Sequence, residues 1–385
     1  MYLQDSKLTH KQVVLRCDFN VPLQNGVIQS TKRIDASLPT ITYLLNKSIQ
    51  RLVIISHLGR PQGVDSKYSL QPIHNYLETI LQKPICFTTV DKFHEVSHKP
   101  IILLENIRFY PEETQQLTTT NAFRTQLSDL GTVFVNDAFG CCHREHSSII
   151  GIHTPKKYMG LLIQKELSFL SNYQLISGHK TVIVGGSKVI DKISLLKHLI
   201  DKVDTILIGG GMAFAFLVYH NHSIGDSIFN PKSLSYIQEI YELAEQQNTS
   251  IILPTDFICN QQFSNEGQIQ TFTIEQGIPS GYMGLDIGLS TVTRFKEELS
   301  KSQCILWNGP LGVTEFEQFA KGSYLIMKYL STLSKVITII GGGDTAACCE
   351  QFQLQHTMSH VSTGGGASLS ILEGKQLPGI KHLSL

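Results

Sequence analysis

The chain lacks a surplus of either charge: 32 Lys and Arg stand against 32 Asp and Glu in 385 residues, a formal net charge of +0. Bulk electrostatics therefore offers nothing to a nucleic acid or other polyanion, and any basic site has to be local. Long apolar runs are missing too. No stretch approaches the roughly 20 residues of a membrane span, and the opening Met1-Tyr2-Leu3-Gln4-Asp5 has no basic segment leading into an apolar core. The eight cysteines include no CxxC pair and no zinc-ligand spacing, and two of the pairs, Cys141-Cys142 and Cys348-Cys349, are adjacent in sequence and unsuited to ordinary structural disulfides. Free thiols in a reducing compartment follow. The expectation is a cytoplasmic protein with no membrane and no nucleic acid among its partners. Two nucleotide-binding signatures are also absent. Nothing reads GxxxxGK[ST], which excludes a P-loop NTPase, and no GxGxxG follows the first strand, which argues against a dinucleotide-dependent dehydrogenase.

What is present is ample core material, 42% hydrophobic residues against 17% charged. At roughly 150 residues per domain the length predicts two or three domains. One stretch organises the rest: Val336-Ile337-Thr338-Ile339-Ile340-Gly341-Gly342-Gly343-Asp344-Thr345-Ala346-Ala347. Five β-branched residues suit a strand buried on both faces. Three glycines then clear side chains from the turn, and Asp344 and Thr345 stand where a helix begins. Backbone N–H groups there favour anions. Asp344 reads either as a simple N-cap or as a carboxylate that holds Mg²⁺ among phosphates.

The first half delivers polar residues at strand ends. Val13 to Pro22 reads as a strand with Asp18 and Asn20 at its carboxyl end, either an Asx turn or contacts to a small substrate. Arg33 precedes a predicted helix from Asp35 to about Lys47. Arg51–Ser56 is a strand ending in His57-Leu58-Gly59-Arg60-Pro61; Ile101–Glu105 is followed by Arg108, and Thr132–Val135 by the Asn136–Gly140 turn and Arg144. In a parallel sheet these ends share one side. Arg33, Arg60, Arg108 and Arg144 with His57 then either converge on an anion, for which arginine's fork is suited, or are unrelated surface residues. His143 and His146 lack the further ligands that a metal site requires.

The second half repeats one device, strand then glycines then helix, at Gly185-Gly186, Gly209-Gly210-Gly211, Gly341-Gly342-Gly343 and Gly364-Gly365-Gly366. Several helix N-termini on one sheet edge suit a polyphosphate such as a nucleotide. Lys188 and Lys192 are four apart, on one face if the helix has already begun, and read either as ligands of that anion or as a solvated face. Helices are predicted over Lys165–Ile176, Pro231–Gln247 and Glu315–Leu333.

Taken together, Arg16-Cys17-Asp18-Phe19-Asn20-Val21-Pro22, Ser56-His57-Leu58-Gly59-Arg60-Pro61, Leu104–Tyr110, Val135–Gly140, Gly209–Ala213, Trp307-Asn308-Gly309-Pro310, Gly341–Thr345 and Ser362–Ala367 resemble phosphoglycerate kinases over essentially the whole chain. The resemblance implies an α/β protein of two doubly wound, Rossmann-like parallel-sheet domains facing each other across a cleft. They would be 1–164 plus 375–385 for phosphoglycerate and 177–374 for nucleotide, with 165–176 as linker helix and hinge. It implies reversible phosphoryl transfer between 1,3-bisphosphoglycerate and MgADP, giving 3-phosphoglycerate and MgATP, by a monomer. Asp18, Phe19, Asn20, Arg33, His57, Leu58, Gly59, Arg60, Arg108 and Arg144 would match the family's substrate contacts, with Arg33 and Lys188 catalytic. Lys192, Gly210, Asn308, Glu315, Gly342, Gly343, Asp344 and Thr345 would match its nucleotide contacts. Asp344 would be the metal carboxylate, and Thr363, Gly364, Gly365 and Gly366 would form a phosphate site at a helix N-terminus. Three places depart from the family pattern: Cys141-Cys142 for the usual Thr-Ala, Thr314 for an apolar residue, and Ile190 for a small or polar one. The cysteine pair suggests an oxidation-sensitive loop.

Overall fold

A computed structural model of the chain describes residues 2–115 and 122–384, so Met1 and Leu385, the ends of the predicted first domain, lie outside it. The chain divides into two compact units, Met1–Ser168 with Gln376–Leu385, and Phe169–Lys375.

The first unit is built on a six-stranded sheet whose pairs are all parallel. Its spatial order is Cys86–Thr88, Ile101–Leu104, Arg51–Ile55, Gln12–Arg16, Val133–Asn136, Lys156–Met159. Strand periodicity explains how it is covered. Val13 and Leu15 enter one core with Ile34, Ile41 and Leu77, from the helices Lys32–Leu45 and Gln71–Leu81. Val14, pointing the other way, enters a second core with Phe134, Leu127 and Leu383. The first strand lies centrally, between Arg51–Ile55 and Val133–Asn136, and the chain winds outward from it in both directions. Such a reversal opens a crevice at the strands' carboxyl ends, where α/β sheets take ligands.

The second unit repeats the plan in the order Ser250–Ile252, Thr205–Ile208, Lys180–Val184, Cys304–Asn308, Ile337–Gly341, His360–Val361. All of these pairs are parallel. It also carries an antiparallel sheet, Gln270–Thr273, Asp256–Asn260 and Met283–Ile287, that the sequence reading missed. Trp307 is fully buried, and its indole donates to Gly309 O at 2.7 Å.

Several helix starts differ from expectation. Arg33 sits inside the helix Lys32–Leu45 rather than before it. The helix expected over Lys165–Ile176 runs Leu161–Leu170, followed by a 3-10 turn at Tyr173–Leu175. The helix expected from Glu315 begins at Lys321, which leaves Glu315 in a turn. Lys188 precedes the 3-10 turn Ile190–Lys192 and the helix Ile193–Leu199, so Lys188 and Lys192 do not share a helical face. The physical reason is shared by two of these cases: the cap comes from a distant carboxylate. Asp137 Oδ1 accepts the N–H groups of Leu162 and Ile163 at 2.9 and 3.4 Å, and Asp286 Oδ2 accepts that of Gly322 at 2.7 Å.

Candidate active site

In the first unit the loops leaving three neighbouring strands are tied together by their own side chains. Asn20 Oδ1 accepts the Gly59 N–H at 2.8 Å, and Asp18 Oδ1 accepts the Asn20 N–H at 3.2 Å. Arg33 reaches from its helix to Asp18 Oδ2 and Asn20 O, at 3.2 and 3.3 Å. Arg108 donates to Gly59 O at 2.6 Å. Asp18, Asn20, Arg33, Gly59 and Arg108 are thus brought together by direct hydrogen bonds, while Arg60 stands exposed beside Gly59 and Arg144 stands exposed on the loop after Val133–Asn136. The side chains of Phe19 and Leu58 are buried in the core, so the main chain is what these two positions present.

Beneath this cluster lies a layer that the sequence reading passed over. Arg16 is fully buried at the end of the central strand and donates to Ser148 Oγ at 2.8 Å and to Cys17 O. Its guanidinium also lies 3.9 Å from buried Glu113 and 3.3 Å from His57 Nδ1. A guanidinium only donates, so His57 Nδ1 accepts and the ring proton sits on Nε2. Burial first, then Arg16 and Arg108, push the His57 pKa well below its ordinary value. His57 is therefore a neutral hydrogen-bonding group near neutral pH, not part of a positive patch. The signal for Arg16 was available: a charge at the end of an otherwise apolar strand, where burial demands partners.

In the second unit the glycine clusters meet one another as well as open space. A Cβ on Gly210 (φ +62°) would lie 2.7 Å from Gly186 N and 2.9 Å from Pro310 O, so close approach of three loops requires glycine there. Gly343, by contrast, has nothing within 4 Å of where its Cβ would be. Asp344 is exposed in the first turn of the helix Gly343–Gln351. It lines a cavity of about 400 Å³ with Gly186, Gly210, Phe214, Leu311 and Glu315. Asn308 Oδ1 accepts from Lys192 Nζ, and its buried Nδ2, beside Gly342, has no hydrogen-bond partner among the described residues. Burial lowers the Lys192 pKa, opposed by the negative charges of Asp344, Glu373 and Asp191. Lys188 is exposed, and Thr345 is buried with its hydroxyl accepting from the Gly309 N–H at 2.7 Å. Gly364 caps the helix Gly365–Leu372, and a Cβ on Gly365 would come within 2.9 Å of Gly343 N, so the last two glycine clusters adjoin.

This pairing of an arginine-rich strand-end cluster with a glycine-lined cavity has known relatives. The family model for phosphoglycerate kinase matches residues 3–375. Human phosphoglycerate kinase 1 is 42% identical over 97% of this chain and 96% of its own length, and the Kluyveromyces lactis phosphoglycerate kinase is 42% identical over 99% and 97%. A solved phosphoglycerate kinase from Coxiella burnetii superposes with a TM-score of 0.90 at 34% identity, covering 100% of this chain and 98% of that one. The chain belongs to the phosphoglycerate kinase family. It is a kinase of two parallel-sheet units, and the family's place is in glycolysis.

Two departures from the phosphoglycerate kinase pattern are explained by packing. Thr314 is buried, and its hydroxyl accepts from the Cys348 thiol at 3.1 Å, so its polarity is satisfied. Cys141 and Cys142 are both buried. Burial pushes the Cys141 thiol up to about 12 and the Cys142 thiol well above its ordinary value. Burial thus disfavours both thiolates, the form that oxidants attack. Ile190 is partly exposed, and nothing in the structure explains it.

Proposed function

We propose that the strand-end cluster of the first unit holds 3-phosphoglycerate or 1,3-bisphosphoglycerate, and that the glycine-lined cavity of the second holds MgADP or MgATP. The observation that carries this reading is the bonded set Arg33–Asp18–Asn20–Gly59–Arg108 at the carboxyl edge of a doubly wound sheet. Asp18, Asn20 and the main chain at Phe19, Leu58 and Gly59 orient the hydroxyl and carboxyl end. Neutral His57 donates through Nε2, while Arg60, Arg108 and Arg144 neutralise the non-reacting phosphate. In the second unit Lys192, Gly210, Gly342, Gly343 and Thr345 follow the nucleotide phosphates, and Glu315 takes the ribose. Thr363 to Gly366 offer a further anion-binding helix start. The unpartnered Asn308 Nδ2 supports an acceptor such as a phosphate oxygen beside Gly342.

Phosphoryl transfer asks the protein for positioning and for charge over the equatorial oxygens. Arg33 and Lys188 supply that charge. No general base is needed, because a carboxylate or a nucleotide phosphate is ionised already. The exposed Asp344 carboxylate fits a hard cation that keeps most of its ligands as water and phosphate, so it is the residue that would hold Mg²⁺. When bound, Mg²⁺ screens the phosphate charge.

The functional division follows the reading 1–164 plus 375–385 for phosphoglycerate and 177–374 for nucleotide, with 165–176 as the hinge. Transfer then requires the units to close on their ligands, in a monomeric cytoplasmic enzyme. A coupled assay for ADP formation that depends on both MgATP and 3-phosphoglycerate tests the whole. In it, Asp344→Ala loses at least about 10²-fold in kcat, each tenfold step being about 1.4 kcal/mol, with the circular dichroism unchanged. Near-normal turnover of that variant at saturating Mg²⁺ overturns the metal assignment.

A further inference from the structure

We infer that Asp18, His57 and Cys141 form a binding site for a thiophilic divalent cation of the zinc class. One ligand atom from each lies within 4.8 Å of the other two: His57 Nδ1 is 3.9 Å from Asp18 Oδ1 and 3.9 Å from Cys141 Sγ. A tetrahedral zinc ion, with bonds of about 2.0–2.3 Å, sets its ligand atoms about 3.3–3.8 Å apart. The triangle therefore closes on such an ion with side-chain shifts under about 1 Å. Nitrogen, sulfur and carboxylate oxygen together suit zinc and not magnesium, which takes oxygen.

The three residues are only 5, 2 and 4% exposed, so packing holds them in place. They come from loops after three adjacent strands, Gln12–Arg16, Arg51–Ile55 and Val133–Asn136, which fixes them independently of one another. The Arg16 guanidinium already faces His57 Nδ1 at 3.3 Å, so that nitrogen presents the lone pair a metal requires. Arg16 keeps Ser148 Oγ, Cys17 O and Glu113 when the metal replaces it there. Arg33 uses Asp18 Oδ2, while Oδ1, on the side of His57, accepts the Asn20 N–H and keeps a second lone pair for a metal.

Arg16, Arg33 and Arg108 oppose any cation at this place. The same three charges favour the Cys141 thiolate. Metal uptake is a proton exchange: a sulfur–metal bond forms, the S–H bond breaks and the proton passes to solvent, so the site gains one net charge rather than two. A hard ion has no comparable bond to sulfur with which to offset that repulsion. Cys141 stands where phosphoglycerate kinases usually carry threonine, so the thiol that completes the set is a departure from the family pattern. Occupancy takes Asp18 and His57 away from phosphoglycerate. That consequence rests on the proposed function; the metal site does not.

The test uses the full-length, reduced protein without substrates, titrated with Zn²⁺ against a chromophoric chelator and separately with Co²⁺. The expected result is one tight zinc equivalent and a thiolate-to-cobalt charge-transfer band. Both are lost in Cys141→Thr and Cys141→Ser, with zinc affinity down by more than the roughly tenfold cost of losing a mere outer partner. Both are kept in Cys142→Ala, whose thiol donates instead to Ala138 O. Two substitutions at Cys141 guard against a folding defect in either, checked by melting curves. Retention of the equivalent and the band in folded Cys141 variants overturns the site, as does absence of zinc uptake by the unmodified chain. Zinc should also raise the KM for 3-phosphoglycerate several-fold at fixed Mg²⁺, and not in Cys141→Thr. A cobalt–thiolate band with no effect on that KM supports the metal site and overturns the phosphoglycerate assignment of Asp18 and His57.

Discussion

Arg33 and Arg108 each carry one guanidinium charge into the same cluster, but their surroundings differ. Arg33 is bonded to Asp18 and Asn20, whereas Arg108 holds the Gly59 carbonyl and is partly buried. On the proposed reading, Arg33 acts on the group in flight and Arg108 on the phosphate that stays. Arg33→Ala should lower kcat by about 10²–10³-fold, the usual cost of losing one charge-stabilising donor, with a smaller change in KM. Arg108→Ala should mainly raise the KM for 3-phosphoglycerate, because a group that binds ground and transition states alike changes affinity rather than turnover. Steady-state kinetics with 3-phosphoglycerate as the varied substrate separates the two. If Arg33→Ala raises KM at unchanged kcat, its catalytic role is wrong. Both were legible in the chain, Arg108 just past an apolar strand and Arg33 beside a predicted helix start. Arg16 and the neutrality of His57 were not, since both follow from partners 41 and 132 residues away.

At the scale of elements, helix starts are set by carboxylates from elsewhere in the chain. Asp137 receives Leu162 and Ile163, Asp256 receives Ser290 and Thr291, and Asp286 receives Gly322. The helices Leu161–Leu170, Leu289–Leu299 and Lys321–Leu330 therefore begin where tertiary contact allows, not where local propensity points. Burial is the main cause that pushes the Asp137 carboxyl up to about 7 and that of Asp286 to about 8. The sign of the pH effect follows. Between about 4, the unfolded value, and about 7 the folded chain keeps an Asp137 proton that the unfolded chain has released. Its contribution to stability thus falls as pH rises through that window and is fully lost above it. Asp137→Asn stays neutral and keeps an oxygen for the Leu162 N–H. Denaturant melts should show it gaining on the unmodified chain by on the order of a few kcal/mol between pH 4 and 8. Parallel pH dependences of the two proteins would show that Asp137 is ionised throughout.

For the molecule as a whole, the last residues bind the first unit although they follow the second in sequence. Gly379 N donates to Cys142 O at 2.9 Å, and Asn136 Nδ2 donates to Gly379 O at 3.3 Å. His382 Nε2 lies 2.9 Å from Ile152 O, and Leu383 joins the core that contains Phe134. Burying a leucine alone is worth about 1.5–3 kcal/mol, a large share of the stability of an ordinary domain. Deleting Lys375 to Leu385 should lower the melting temperature of the first unit and lower kcat. MgADP affinity, proposed to reside in the second unit, should be largely kept. Differential scanning calorimetry with MgADP titration checks this. Loss of MgADP affinity would show that the tail also supports the nucleotide site, and unchanged melting and turnover would remove its structural role.

What the sequence determined by itself was the alternation of apolar strand and helix, the eight motifs and the family they mark. Those are carried by near neighbours: β-branched runs make buried strands, and glycines after them make turns. The hinge at 165–176 and the return of residues 375–385 to the first domain came from the family resemblance; the compact units divide after Ser168 and after Lys375. The tertiary structure alone decided which helix starts hold, that His57 is uncharged, that Thr314 is paired with Cys348, and that Cys141 meets Asp18 and His57. Each of these depends on dielectric and on distance between residues far apart in the chain, and both come into being only when the sheet brings its strand ends together.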